Sequence, residues 1–177
     1  MGTDPAAEMD PRFSSEGATP TEWTEAAERF ERAGIYWIST VRPDGRPHVT
    51  PLIGVWRGGA AYFSTGPEEQ KARNIARNPR CILTTGSNEM DEGLDVVIEG
   101  EAVRVTGEAL LRTLAEEWVA KYGEVWRFDV RDGAFAHEGS RLHHEDLTGV
   151  AFVFEVAPAK AFAFARGDQY SQTRWRF

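Results

Sequence analysis

Lys71 stands seven residues ahead of the Asn78-Pro79 pair and behind the run Ser64-Thr65-Gly66-Pro67, and these residue types in this order suit the binding of an anion. The spacing predicts a strand that ends at Thr65 and a helix that begins at Pro67, with Gly66 at the cap position. Proline fits a first helical turn because the N–H it lacks would find no partner there. The free amides of such a turn and the positive end of the helix dipole attract a phosphate, and the Ser64 and Thr65 hydroxyls extend that site. Long helical side chains lean back toward the N-terminus, which brings the Lys71 ammonium to the same place. The same spacing also describes an ordinary capped surface helix with Lys71 in solvent.

The elements that must position this stretch are legible on either side of it. Residues 35–41, 46–56 and 60–65 predict strands, the first two joined by the turn Arg42-Pro43-Asp44-Gly45. Residues 21–33 predict a helix capped by Thr21, with Trp23, Ala26, Ala27 and Phe30 on one face. Residues 94–105 and 150–164 alternate as long strands, with a bulge expected at Gly100. Between them, residues 107–122 set Leu110, Leu111, Leu114, Trp118 and Tyr122 on one helical stripe that stops at Gly123. Residues 1–20 are rich in Pro, Gly, Ser, Thr and acidic groups and predict a disordered tail, which leaves residues 21–177 as a single domain. Residues 125–148 read as a long loop over a pocket.

From residue 36 to residue 86, this order of elements resembles the pyridoxamine 5'-phosphate oxidase-like family of flavin-binding split β-barrels. The run Lys71-Ala72-Arg73-Asn74-Ile75, with further arginines after it, is similar to the helix of the family's actinobacterial, deazaflavin-dependent reductase branch. The resemblance implies a mainly β (α+β) fold, a six-stranded split β-barrel with accessory helices, assembled as a homodimer. It implies that Ser64, Thr65 and Lys71 contact the cofactor phosphate, that Arg73 and Asn74 share that helix, and that the cofactor ring lies against Thr50, Pro51, Leu52 and Ile53. The family's final residues return to the cofactor site, which assigns Arg174, Trp175 and Arg176 to it. Oxidases of the family carry an arginine and a lysine on the second strand, where this chain has Thr50, Pro51 and Trp56. Coenzyme F-420, a deazaflavin, is therefore the expected cofactor and FMN the alternative. The implied function is an oxidoreductase that transfers hydride to a small organic substrate, with the chemistry carried by the cofactor. A haem-binding relative on the same barrel, with His48 or His137 as axial ligand, and a non-catalytic cofactor carrier are the competing readings.

Composition narrows the remaining classes. A net charge of −8 argues against nucleic-acid or anionic-membrane partners. The positive charge is local: residues 57–80 hold five basic groups against two acidic ones. No apolar run approaches the roughly 20 residues that span a bilayer, so a cytoplasmic protein is expected. The single Cys81 excludes an internal disulfide and reads as a buried strand residue. His137, His143, His144 and Glu145 match no common metal-ligand spacing, so no metal site is expected. His48 suits a proton donor near a cofactor and equally a hydrogen-bonded surface histidine. The close of the chain, Tyr170 to Phe177, mixes aromatic and guanidinium groups densely enough to predict docking against another surface.

Overall fold

The computed structural model describes residues 5–136 and 149–177. Alternation of apolar residues in its last third builds the longest strand, β10 (Val150–Arg166), whose 17 residues bury Val153, Phe154, Val156, Ala161 and Ala163. The other strands in chain order are β1 (Glu8–Met9), β2 (Tyr36–Val41), β3 (Pro47–Leu52), β4 (Gly54–Arg57), β5 (Ala60–Thr65), β6 (Arg80–Thr85), β7 (Gly93–Val105), β8 (Asp129–Arg131), β9 (Ala134–Ala136) and β11 (Ser171–Arg176). They form one antiparallel sheet with the order β1-β11-β10-β7-β6-β2-β3. β5, which carries β4, pairs with β10 in line with β11 on the edge away from β7, and β9, which carries β8, pairs with the first residues of β10. The sheet curls without closing. It is the mainly β split barrel that the sequence implies, with short strands added to it and the helices α1 (Trp23–Arg32), α2 (Gln70–Ile75) and α3 (Glu108–Tyr122) packed on it.

Two cores result from the two faces. One gathers Phe30 of α1 with Ile38, Phe63, Leu83, Ile98, Val156 and Trp175. The other lies under α3, where Leu111, Leu114 and Trp118 meet Val55, Phe135 and Val153. The α3 stripe read from the sequence is buried at Leu111, Leu114 and Trp118, and Gly123 ends the helix with φ 85°.

Four expectations need correction. The strand expected over residues 46–56 breaks at Ile53, because the Gly54 backbone is bonded to α3: its N–H donates to the Tyr122 hydroxyl at 3.1 Å, and its carbonyl accepts from Tyr122 at 2.8 Å. The bulge lies on β10 between Pro158 and Lys160, opposite Gly100 rather than on it. Thr21 is not a cap; its N–H donates to Thr173 Oγ1 at 2.9 Å, and Glu22 precedes the helix. Residues 5–20 are not a free tail. β1 pairs with β11, the Ser15 N–H donates to the Tyr170 carbonyl, and Ser14 Oγ accepts from the Gln172 N–H. The backbone groups of β11 require partners on both sides, and this polar segment provides them where composition alone suggested disorder.

Gly100 shows how closely β7 and β10 meet at the bulge. A Cβ there would lie 2.4 Å from the Ala157 carbonyl oxygen and 2.8 Å from Val156 Cγ1. Gly100→Ala is therefore expected to destabilise the fold by about 1–3 kcal/mol, the usual range for overpacking, measured as a lower urea midpoint at unchanged slope.

Candidate functional site

The turn after β5 arranges three donors round one carboxylate. The Gly66 N–H donates to Glu69 Oε1 at 2.8 Å, the Lys71 ammonium pairs with Glu69 Oε2, and the Thr65 hydroxyl, which donates to the Gly66 carbonyl at 3.4 Å, lies beside the same carboxylate. Burial would raise the Glu69 carboxyl, but the Lys71 ammonium, the Gly66 N–H and the Thr65 hydroxyl together hold it below its ordinary value. The Lys71 side chain is 8% exposed and Thr65 is 3% exposed, whereas the Glu69 side chain is 45% exposed. The donors are walled in, and their acceptor sits at the surface.

This local geometry differs from a helix starting at Pro67. The Glu69 N–H donates to the Gly66 carbonyl at 3.1 Å, which closes a turn, and Glu69 itself keeps extended backbone angles of φ −69° and ψ 149°. Only then does α2 begin, at Gln70, and it spans 6 residues. So short a helix has little dipole, and the anion donors here are the Gly66 amide and two side chains rather than a first helical turn.

Asn74 fixes how α2 sits. It is fully buried, its Nδ2 donates to Thr40 Oγ1 on β2 at 2.9 Å, and its Oδ1 accepts from Gln70 at 2.8 Å. Thr40 in turn lies 3.4 Å from Nδ1 of His48 on β3. Burial lowers the His48 pKa, and the charges of Arg42 and Lys71 lower it further. Thr40, His48, Thr65, Glu69, Lys71 and Asn74 thus form one polar cluster at an end of the barrel.

The remaining expected site residues are distributed more widely. Ser64 points to the opposite face of β5 from Thr65, as adjacent strand residues must. Thr50 and Leu52 are half-buried on the same side of β3 as His48, and Thr50 Oγ1 is buried with no hydrogen-bond partner. Pro51 faces outward beside Trp37, its register partner. Ile53 packs toward the core under α3. Arg73 is exposed and paired with Glu68. At the C-terminus, Trp175 is fully buried against Trp23, while Arg174 and Arg176 both pair with Glu8. Thr65 lies opposite Phe152 on β10 and Arg174 opposite Phe162, so about 33 Å of strand separates the C-terminal arginines from the cradle within one chain. Deleting the last residues would remove Trp175 from the core and harm folding first, contrary to a purely cofactor-binding role for that segment. His137, His143, His144 and Glu145 lie outside the described residues.

Glu69 was not among the expected site residues, because a helix from Pro67 would have turned it to solvent. Arg104 was also missed. Its guanidinium stacks 3.5 Å from the ring centroid of Phe152, the residue opposite Thr65, which places a further cation by this end of the barrel. A cavity of about 550 Å³ opens at the far end of β7 and β10, where Arg29 of α1 faces Ser87, Leu94 and Arg166. There Arg166 is committed to Asp95 and to Ser87. Among the described residues, no helix is long and apolar enough to cross a membrane.

Comparison with known proteins agrees with this fold. The family model described as pyridoxamine 5'-phosphate oxidase matches residues 23–152. No curated protein matches the chain. Among solved structures, a heme binding protein from Mycobacterium smegmatis superimposes with a TM-score of 0.61 at 16% identity, covering 82% of this chain and 55% of its own. An FAD binding protein from the same organism gives 0.51 at 16% identity, covering 89% of this chain and 97% of its own. A structure titled F420 Reductase gives 0.50 at 22% identity, covering 76% and 93%.

The cluster makes His48 a reporter of charge on Lys71. Its NMR titration midpoint is expected below the ordinary value of about 6.5, and Lys71→Ala, which removes a neighbouring positive charge, is expected to move it upward. Because a lowered histidine pKa means that the unfolded chain binds the proton more readily, this group withdraws stability as pH falls below that ordinary value.

Proposed function

Since the chain belongs to the pyridoxamine 5'-phosphate oxidase family, we propose that it is a flavin- or deazaflavin-dependent oxidoreductase that works as a homodimer and takes coenzyme F-420 in preference to FMN. The observation that carries this reading is the convergence of Thr65 Oγ1, the Gly66 N–H and Lys71 Nζ on a single carboxylate. A backbone amide, a hydroxyl and an ammonium aimed at one point are the donor set that a phosphate group requires. The preference for F-420 rests on charge. β3 contains no arginine or lysine, whereas Arg73, Arg77 and Arg80 follow the cradle on a protein that is otherwise acidic, and they suit a longer anionic tail.

When bound, the ring supplies the redox chemistry, so no protein nucleophile is needed. The chain's own residues hold and orient. Thr65, Gly66 and Lys71 grip the phosphate, and the Asn74–Thr40 bond keeps α2 against β2 so that Lys71 stays aimed inward. Thr50 Oγ1, buried without a partner, offers a hydrogen bond to a ring edge lying along β3. His48 stands on the same side of that strand, where a small organic substrate would be enclosed.

The outward face of the sheet supports the dimer. Trp37 and Val49 are 49% and 53% exposed there, beside Pro51, and the face continues through Val97, the register partner of Phe162, to Phe162 stacked on Phe164. A largely apolar face of this kind, interrupted by Thr84 between Trp37 and Val97, suits an interface. The C-terminal arginines flank it at Phe162, so in this reading Arg174 and Arg176 serve the cofactor site of the partner copy rather than their own.

Two experiments test these points. In parallel titrations of the purified protein, F-420 is expected to bind more tightly than FMN, and Lys71→Ala is expected to weaken the F-420 complex roughly ten- to hundredfold, the worth of one charge-assisted hydrogen bond; tight FMN binding with no F-420 binding reverses the cofactor assignment. By sedimentation, the wild type is expected to be a dimer at micromolar concentration and the Trp37→Glu, Val49→Glu double variant a folded monomer. A monomeric wild type that binds cofactor fully would contradict the assembly.

A further inference from the structure

We infer that Glu69 is a built-in competitor for the anion site, a carboxylate that holds the phosphate donors itself and has to swing out before a phosphate can meet them. The inference rests on the reading of Thr65, Gly66 and Lys71 as a phosphate cradle, and adds that the cradle is filled from within. Two of the three donors that would meet a phosphate, the Gly66 N–H and the Lys71 ammonium, are already spent on Glu69, and the Thr65 hydroxyl lies beside it. Without it, Lys71 would be a walled-in ammonium with no counter-charge, an arrangement that strongly disfavours folding. Glu69 therefore stabilises the fold by the same contacts that oppose binding of a phosphate.

The geometry lets Glu69 leave without unpacking anything. Its side chain is nearly half exposed, it stands on the turn before α2 rather than within the helix, and the helix itself is held separately through Asn74 and Thr40. Of the other charges nearby, Glu68 is paired with Arg73 on the solvent side, and His48 lies toward β2. A phosphate dianion offers more acceptor oxygens and more charge than the carboxylate it displaces, whereas a carboxylate ligand offers no advantage. Glu69 thus sets a threshold that selects phosphorylated ligands over carboxylates, in exchange for part of their affinity.

Inorganic phosphate is the direct probe, titrated calorimetrically into the wild type, Glu69→Gln and Lys71→Ala. Glutamine keeps an acceptor for the Gly66 N–H and removes the charge that holds Lys71; a cooperative melting transition, expected at a lower temperature than that of the wild type, establishes that it folds, and a larger rise of that temperature on adding phosphate than the wild type shows is the second measurement. Glu69→Gln is expected to bind phosphate about tenfold more tightly than the wild type and to accept acetate with a smaller penalty relative to phosphate. Equal or weaker phosphate binding by Glu69→Gln, with Lys71→Ala impaired, overturns the competitor role while leaving the phosphate cradle intact. Equal binding by all three proteins, or no measurable binding by the wild type and Glu69→Gln alike, overturns both.

Discussion

Both edges of β10 are committed, and the positions of the other elements follow from how they are shared. One edge pairs with β7 from Val153 to Arg166. The other is divided: β5 takes residues 152–156 and β11 takes residues 160–165. Pro158 sits in the gap between the two, where a missing N–H leaves no ladder bond unmade on that edge, and the bulge follows directly. A continuous strand thus carries the turn of the cradle at one end and the C-terminus at the other, and the bulge between them lets a single chain segment belong to both parts of the curled sheet. This is why Thr65 and Arg174 attach to the same strand yet do not meet.

The two cores on opposite faces of the sheet would be independent if only apolar contacts joined them. A small polar cluster at the end of α3 links them. Lys121 donates to the Glu31 carbonyl at the end of α1, to the Tyr36 hydroxyl on β2 and to the Gly54 carbonyl at the start of β4, and Tyr36 in turn donates to the Phe30 carbonyl. Burial pushes the Lys121 pKa down to about 8. Three acceptors on three elements hold this ammonium, a geometry that a hydrophobic residue could not reproduce. Most ion pairs of the described surface, such as Arg12 with Asp10 or Arg127 with Glu124, bridge neighbours in sequence and contribute little by comparison.

Strand 60–65 and the α3 helix were legible in the sequence because their signals are strong and local: a short apolar run ended by Gly66-Pro67, and a helical stripe ended by Gly123. The place of Lys71 and Asn74 on a helix between β5 and Asn78-Pro79 was legible because that order is local in the sequence. Residues 66–69 were not. A glycine followed by proline describes a helix start and a turn equally well, and what decides between them is the Glu69 side chain binding back to the Gly66 amide. The same limit applies to residues 5–20, where composition speaks for disorder and only the open side of β11, more than a hundred and fifty residues away, supplies partners. Arg174 and Arg176 were placed with the cofactor by resemblance, whereas within one chain their partner is Glu8 from that same N-terminal segment.

Among the described residues, β3 ends the sheet with one edge open, and it does so with Pro47 and Pro51 in a six-residue strand. Neither proline has an N–H to offer, so the open edge presents a broken row of donors to any strand that approaches it in the plane of the sheet. The apolar residues beside it, Trp37 and Val49, point out of that plane instead. At this rim, a second strand meets missing donors in the plane of the sheet, whereas contact with the apolar face above that plane asks nothing of the backbone.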